Sequence, residues 1–208
     1  MRRYGPARPA LAAAALALAL AAAGCGGGRG GTREVSQEGR GGYPWVATDE
    51  ICNALPYGKL ADPFGSREEV ADRAKRSGGG APGFMCTQPL VPKGGGYKGV
   101  KVEVDFAFTE SVGFAKDVFA SGRKDNGATE PAGGGADVAG VGREAYRFAY
   151  TKPNDLHQVR ELRLRDSNLL LGVTVTADAP ALPTPETLGA MDRTVDAFAR
   201  GVLDTLRK

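Results

Sequence analysis

His157 is the only histidine among 208 residues, so any nucleophile–imidazole machine in this chain has to be built on it. It follows Pro153-Asn154-Asp155, a turn-forming stretch that favours a solvated side chain over a catalytic base. A lone histidine gives little to a His-based zinc site, and oxidation accounts better for the cysteines. Gly140, Gly142 and Ala145 match the loose dinucleotide fingerprint, but a Gly-rich stretch leads into them and a strand follows, where the fingerprint needs a strand and then a helix. Gly133-Gly134-Gly135 lacks the Lys-Ser/Thr of a phosphate loop. Asp and Glu are abundant, so a carboxylate pair ~5–10 Å apart in a cleft could hydrolyse glycosides, although no pair stands out. The remaining constellation is basic. Arg143, Arg147, Arg160, Arg163 and Arg165 fall on adjacent strands, and Arg147, Arg160, Arg163 and Arg165 form a candidate face for an anionic lipid, a glycan phosphate or an acidic partner. The alternative is a solvated sheet face balanced by Glu144, Glu161 and Asp166. No residue set points to a catalytic centre, a metal or a cofactor.

The third kind of chemistry is that of a thiol. Arg2, Arg3 and Arg8 precede a run of Ala and Leu over residues 10–23, and Ala22-Ala23-Gly24 lead into Cys25. That run suits a signal-peptide core and is short of the ~20 residues that span a bilayer. The four residues resemble a bacterial lipobox, with Ala22 where Leu is commonest. This resemblance implies diacylglyceryl transfer to the Cys25 thiol, cleavage before it and an N-acyl chain. One acyl chain holds only marginally and two anchor stably, at roughly 0.8 kcal/mol per buried CH₂. The expected location is the outer face of the bacterial cytoplasmic membrane, or the medium if Cys25 is not acylated. Removing residues 1–24 takes three arginines and no carboxylate, which brings the net charge from +3 to zero and removes the support for nucleic-acid binding. Cys52 and Cys86 remain, and an even pair outside the cytoplasm reads as one disulfide, with two free buried thiols as the alternative.

These groups need a frame. Residues 26–42 are Gly-rich without apolar periodicity, a flexible tether extending about 20–25 Å. One folded domain is expected over residues 45–208, starting near Tyr43-Pro44-Trp45. Asp49 caps a short helix bearing Cys52, which Pro56 and Gly58 end. Residues 67–76, charged and Ala-containing, predict a second short surface helix. Strands are expected at 84–90, 100–108, 145–151, 158–165 and 169–176. Val100, Val102, Val104, Phe106 and Phe108 face a core, while Lys101, Glu103, Asp105 and Ala107 face water, the mark of an antiparallel sheet. Tyr146, Phe148 and Tyr150 read as core. Asp166-Ser167 makes a hairpin of the last two strands. Ser111 caps a helix to Ala120, and residues 121–142 form a long loop containing the turn signal Asp125-Asn126-Gly127. Thr184, Pro185 and Glu186 start a last helix whose stripe is Leu188, Met191, Val195, Phe198, Val202 and Leu206. The fold class is α+β, an antiparallel sheet of about five strands with a short N-terminal, a middle and a long C-terminal helix on one face.

In order along the chain, the lipobox, the helix with Cys52, Cys86-Thr87-Gln88 opening the sheet, Gly140-Val141-Gly142-Arg143-Glu144-Ala145-Tyr146 before a strand, and the long last helix resemble the actinobacterial two-cysteine lipoprotein family of unknown function. The similarity covers most of residues 45–208. Gln88 stands two positions after Cys86, where that family often has Trp. The resemblance implies a Cys52–Cys86 disulfide and a sheet-plus-helix domain, and it supplies no catalytic residue. The expected function is a lipid-anchored, non-enzymatic module that binds an envelope lipid, a wall component or a partner protein. It would do so through residues 77–83, residues 121–142 or the exposed sheet face. The alternatives are a carboxylate-based envelope hydrolase and a scaffold without a small ligand.

Overall fold

The alternating stretch at Val100 becomes the second interior strand of a seven-stranded antiparallel sheet in the computed structural model, which describes residues 42–43, 50–67, 72–75, 83–94, 96–129, 135–152 and 156–207. The strands are β1 (Asp72–Lys75), β2 (Gly83–Leu90), β3 (Gly99–Phe108), β4 (Ala136–Asp137), β5 (Glu144–Lys152), β6 (His157–Asp166) and β7 (Leu169–Asp178), in the order β1-β2-β3-β7-β6-β5-β4. All five expected strands are present. The count rises because two edge pieces join them: the two-residue β4 on β5, and β1 on β2. β1 corrects the expected surface helix at 67–76. Its register, Asp72 opposite Thr87 to Lys75 opposite Phe84, occupies the edge that β2 would otherwise leave unpaired.

Helix α1 (Ile51–Ala54) is one turn long; Leu55, before Pro56, is extended and ends it. Asp49 lies outside the described residues, and Glu50 occupies the cap position without a side-chain cap bond. A 3₁₀ turn follows at Tyr57–Leu60. Helix α2 runs Val112–Thr129, capped as expected by Ser111, whose Oγ accepts the Phe114 N–H at 3.2 Å. It continues nine residues beyond the expected end at Ala120, through the Asp125-Asn126-Gly127 turn signal. Arg123, one turn beyond Ala120, is fixed by Asp137, the Gly135 carbonyl and the Tyr146 ring, and these tertiary contacts outweigh the local signal. Helix α3 (Pro185–Leu206) begins as read, with Thr184 Oγ1 accepting the Thr187 N–H at 3.2 Å.

One face of the sheet carries the main core. Val102, Val104, Phe106, Leu162, Leu171 and Val173 pack there against Met191, Val195, Phe198 and Val202 of α3. Cys86, opposite Val104, forms the disulfide with Cys52, Cα–Cα 5.4 Å, and so ties α1 to the sheet. Tyr57 stacks on Phe198 with ring centroids 5.5 Å apart. Gly201 is required here, since a Cβ would lie 2.8 Å from both Pro56 Cγ and Lys59 Cε.

The helices do not share a face. Tyr146 and Arg147 are consecutive on β5 and so point to opposite sides. The Tyr146 ring lies 5.1 Å from that of Phe119 on α2, whereas the Arg147 guanidinium meets Asp192 and Asp196 on α3. The sheet is thus sandwiched: α3 on the core face, α2 over part of the other. This places Asp105 and Ala107 beneath a helix instead of in open water, and Ala107 is buried.

The chain enters the domain at Tyr43. Its N–H donates to Asn168 Oδ1 at 3.1 Å, its hydroxyl donates to Asp166 at 2.5 Å, and Arg207 at the end of α3 donates to both Asp166 and the Tyr43 hydroxyl. Gly42 N–H reaches Ser167 Oγ at 3.0 Å. The β6–β7 hairpin, turning at Ser167-Asn168, is the dock for the end of the expected tether; Cys25 and residues 26–41 lie outside the described residues.

Two predictions follow from this core. Replacing Cys52 and Cys86 together by Ala frees a loop of 34 residues and lowers unfolding free energy by about 3–4 kcal/mol, measured by urea denaturation. Tyr57 is buried and its hydroxyl has no hydrogen-bond partner among the described residues, so Tyr57→Phe is neutral or stabilises by about 1 kcal/mol at neutral pH. Burial, opposed by Arg67, pushes the Tyr57 pKa up from 10.0 to about 12. The folded chain keeps a proton that the unfolded chain gives up, so this contribution is complete below pH 10.0 and is lost as pH rises to about 12. Tyr57→Phe flattens that alkaline fall in urea midpoints.

Candidate functional site

The four arginines do not form one face. Arg147 and Arg160 point to the core side beneath α3, and Arg163 and Arg165 point to the other. Arg147 pairs with Asp196 and approaches Asp192 at 3.6 Å; Arg160, with 3% of its side chain exposed, reaches the same Asp192 oxygen at 3.6 Å. Burial lowers the Arg160 pKa against the pull of Asp192 and Tyr97, and burial raises that of Asp192 against Arg147 and Arg160. Arg165 donates to Glu144 at 2.8 Å. Arg163 lies between Glu161 and Asp105, the latter at 3.4 Å. Burial works against its charge, but Glu161 and Asp105 outweigh it and leave its pKa raised. Each guanidinium has a carboxylate partner from a neighbouring strand or helix. The expected balance by Glu144 and Glu161 is present, while Asp166 serves Tyr43 and Arg207.

His157 opens β6, and its Nδ1 lies 2.7 Å from Asp178 Oδ1 on the paired strand. This is the imidazole–carboxylate half of a triad, and among the described residues no Ser, Thr or Cys side chain is hydrogen-bonded to it. Gly140 and Gly142 adopt φ of +74° and +64° in the turn before β5. A Cβ on Gly142 would lie 2.9 Å from the Arg165 carbonyl, so these glycines serve a turn and a close approach and not a phosphate.

The concave feature lies between α2 and the sheet, on the face away from the main core, and takes in Gly122, Arg123, Asp137, Val138 and Ala139 of the expected binding segment 121–142. A cavity of about 220 Å³ is walled by Val118, Phe119 and Gly122 of α2 and by Ala107, Tyr146, Leu170 and Gly172 of the sheet, with Asp105 and Arg163 on its floor. A second, of about 370 Å³, lies between Lys116, Phe119, Ala120 and Arg123 of α2 and Asp137, Val138, Ala139, Glu144 and Ala145. Phe119 lines both. Its ring rests on Tyr146, which meets Phe148 edge-on at 5.2 Å. Tyr146 and Phe148 are buried as expected, but on the face away from the main core, where Tyr146 becomes a wall of the cleft.

The cleft exists because α2 is a poor lid. Val118 and Phe114 remain 38% and 41% exposed, while α3 buries eight residues. Gly122 widens the gap, since a Cβ there meets nothing within 4 Å. On the floor, Gly172 makes room for the Arg163 side chain, which lies across it. Three carboxylates line the two cavities, and each has an arginine: Asp105 with Arg163, Asp137 with Arg123 at 2.7 Å, and Glu144 with Arg165. The walls are aromatic and aliphatic, so the arrangement suits retention of an apolar body. Among the described residues no group of three or more His, Cys, Asp or Glu is placed to hold a metal ion, and no helix is long and apolar enough to cross a membrane. Of the expected binding segments, residues 77–82 and 130–134 lie outside the described residues, Gly83 opens β2, 121–129 belong to α2, and Asp137, Val138 and Ala139 line the second cavity. The signal for the cleft was present in the sequence as Phe119, Gly122 and Tyr146, but nothing local says that one helix crosses to the second face.

The comparisons with known proteins found no family model that matches the chain and no curated protein that matches it.

The two glycines give opposite expectations. Gly122→Ala adds a methyl to open space on a helix and stabilises by about 1 kcal/mol. In Gly172→Ala the new Cβ lies 2.4 Å from an Arg163 guanidinium nitrogen; Arg163 must leave Asp105, and stability falls. Urea midpoints of the two variants measure the contrast.

Proposed function

We propose that this chain is a lipid-anchored, extracytoplasmic binding module whose ligand site is the cleft between α2 and the sheet. The lipobox-like Ala22-Ala23-Gly24-Cys25, the disulfide between Cys52 and Cys86, and the likeness in motif order to the actinobacterial two-cysteine lipoproteins support the placement at the outer face of the cytoplasmic membrane. The observation that carries the binding role is an aromatic-walled cleft left open by a loosely seated helix, with its flanking carboxylates already held by arginines. Such a site recognises shape and apolar area. Among the described residues each carboxylate that lines it, Asp105, Asp137 and Glu144, is paired with an arginine, which favours binding over acid–base hydrolysis.

Mass spectrometry of the native product tests the anchor. A mature chain starting at Cys25 and carrying a diacylglyceryl group is expected; an unmodified Cys25, or cleavage elsewhere, overturns it. For the site, the uncharged solvatochromic dye Nile red is added to the full mature chain with Cys25→Ser. Saturable fluorescence is expected and is lost in Gly122→Leu, whose side chain fills the cleft. Absence of saturable binding, or binding indifferent to Gly122→Leu, overturns the site.

A further inference from the structure

The contact between Phe119 and Tyr146, ring centroids 5.1 Å apart, keeps the two cavities beside α2 separate. The larger, of about 370 Å³, falls at the small end of ligand sites, which run from ~300 to ~1,000 Å³. At about 100° per residue, Lys116, Ala120 and Arg123 share the flank of α2 that borders it. Its other walls are the short side chains of Val138, Ala139 and Ala145, and the Phe119 ring closes it toward the smaller cavity. A space bounded in this way suits a compact body and not a long chain.

Its rim is charged, and the charges do not cancel. Arg123 donates to Asp137 at 2.7 Å and lies over the Tyr146 ring at 5.4 Å. The buried Arg165 donates to Glu144 at 2.8 Å. Each carboxylate thus has its guanidinium. Lys116 is exposed on the same flank as Arg123, and among the described residues no ion pair involves it. Lys116, Arg123 and Arg165 stand against Asp137 and Glu144, which leaves one positive charge over.

One surplus ammonium beside an apolar hollow selects charge as well as shape. A monoanion neutralises it. A dianion brings its second charge toward Asp137 and Glu144, where like charges repel. A neutral ligand covers the hollow and leaves the ammonium partly dehydrated without a partner. We infer that this second cavity binds a small monocarboxylate with a compact apolar body, its carboxylate at Lys116 and its body against Phe119, between Ala120 and Ala145. The inference rests on the cleft beside α2 being a ligand site. Lys116 sets the charge preference, and Ala120 sets the room available.

The test is an NMR titration of the full mature chain with Cys25→Ser, in mildly alkaline buffer. Phenylacetate, phenylacetamide and benzylphosphonate present one benzyl body with one negative charge, none and two. Phenylacetate is expected to bind most tightly, with shifts centred on the Ala139 and Ala145 amides. Lys116→Gln, a change at an exposed position that keeps the fold, weakens phenylacetate by up to about fivefold and leaves phenylacetamide unchanged. Ala120→Leu fills the cavity and removes both. Gly122→Leu, in the other cavity, removes Nile red and leaves phenylacetate bound. No saturable phenylacetate binding, an affinity no higher than that of the amide or the phosphonate, equal loss of acid and amide in Lys116→Gln, or indifference to Ala120→Leu overturns the monocarboxylate site. Where Nile red binding is intact and lost in Gly122→Leu, any of these results leaves the cleft standing as a site for another apolar ligand. Absence of both Nile red and phenylacetate binding in the parent chain overturns the cleft itself.

Discussion

Strands β3, β6 and β7 place most of their branched and aromatic side chains on one side of the sheet, and α3 closes that side with Met191, Val195, Phe198, Val202 and Leu206. Each such side chain contributes roughly 1.5–3 kcal/mol on burial, so this layer dominates the stability of the domain. Everything else is arranged around it. The disulfide fastens α1 to the same layer, and Gly201 lets α3 lie against the turn at Tyr57–Leu60. The opposite side receives what is left: Tyr146, Phe148, Ala107 and Leu170 among threonines and charges. That is enough to seat one helix, but not to seal it.

The same unequal division explains the arginines. Alternation on β5 and β6 sends Arg147 and Arg160 inward beneath α3, and Arg163 and Arg165 outward. An unpaired buried guanidinium is too costly to keep, and each meets a carboxylate: Asp192 and Asp196 on α3, Asp105 and Glu161 on neighbouring strand positions, and Glu144 across the ladder. Beside α2 the walls are apolar, with the ammonium of Lys116 at their edge.

Tyr43 is locked to the β6–β7 turn and to Arg207, which fastens this point of the chain to the central hairpin and the last helix instead of an edge strand. The cleft is built from α2, which shares only the Thr109–Asn168 contact with that dock among the hydrogen bonds around its start.

Period-two alternation at Val100–Phe108 and at Leu169–Val175, together with the Thr184-Pro185-Glu186 start of α3, determined five strands, the last helix and their common core from residue order alone, because those signals are local and strong. Composition determined that no cluster of imidazoles exists. Edge pairing of β1, continuation of α2 through Asp125-Asn126-Gly127, separation of the helices onto opposite faces and the cleft at Phe119 were decided by tertiary structure. Each depends on a partner distant in sequence: Cys86 and its neighbours for β1, Asp137 and Tyr146 for Arg123, and Tyr146 for Phe119. A strand pattern says which residues share a side. Only the assembled sheet says which side another element will cover, since that choice turns on how much apolar area the whole chain has left to bury.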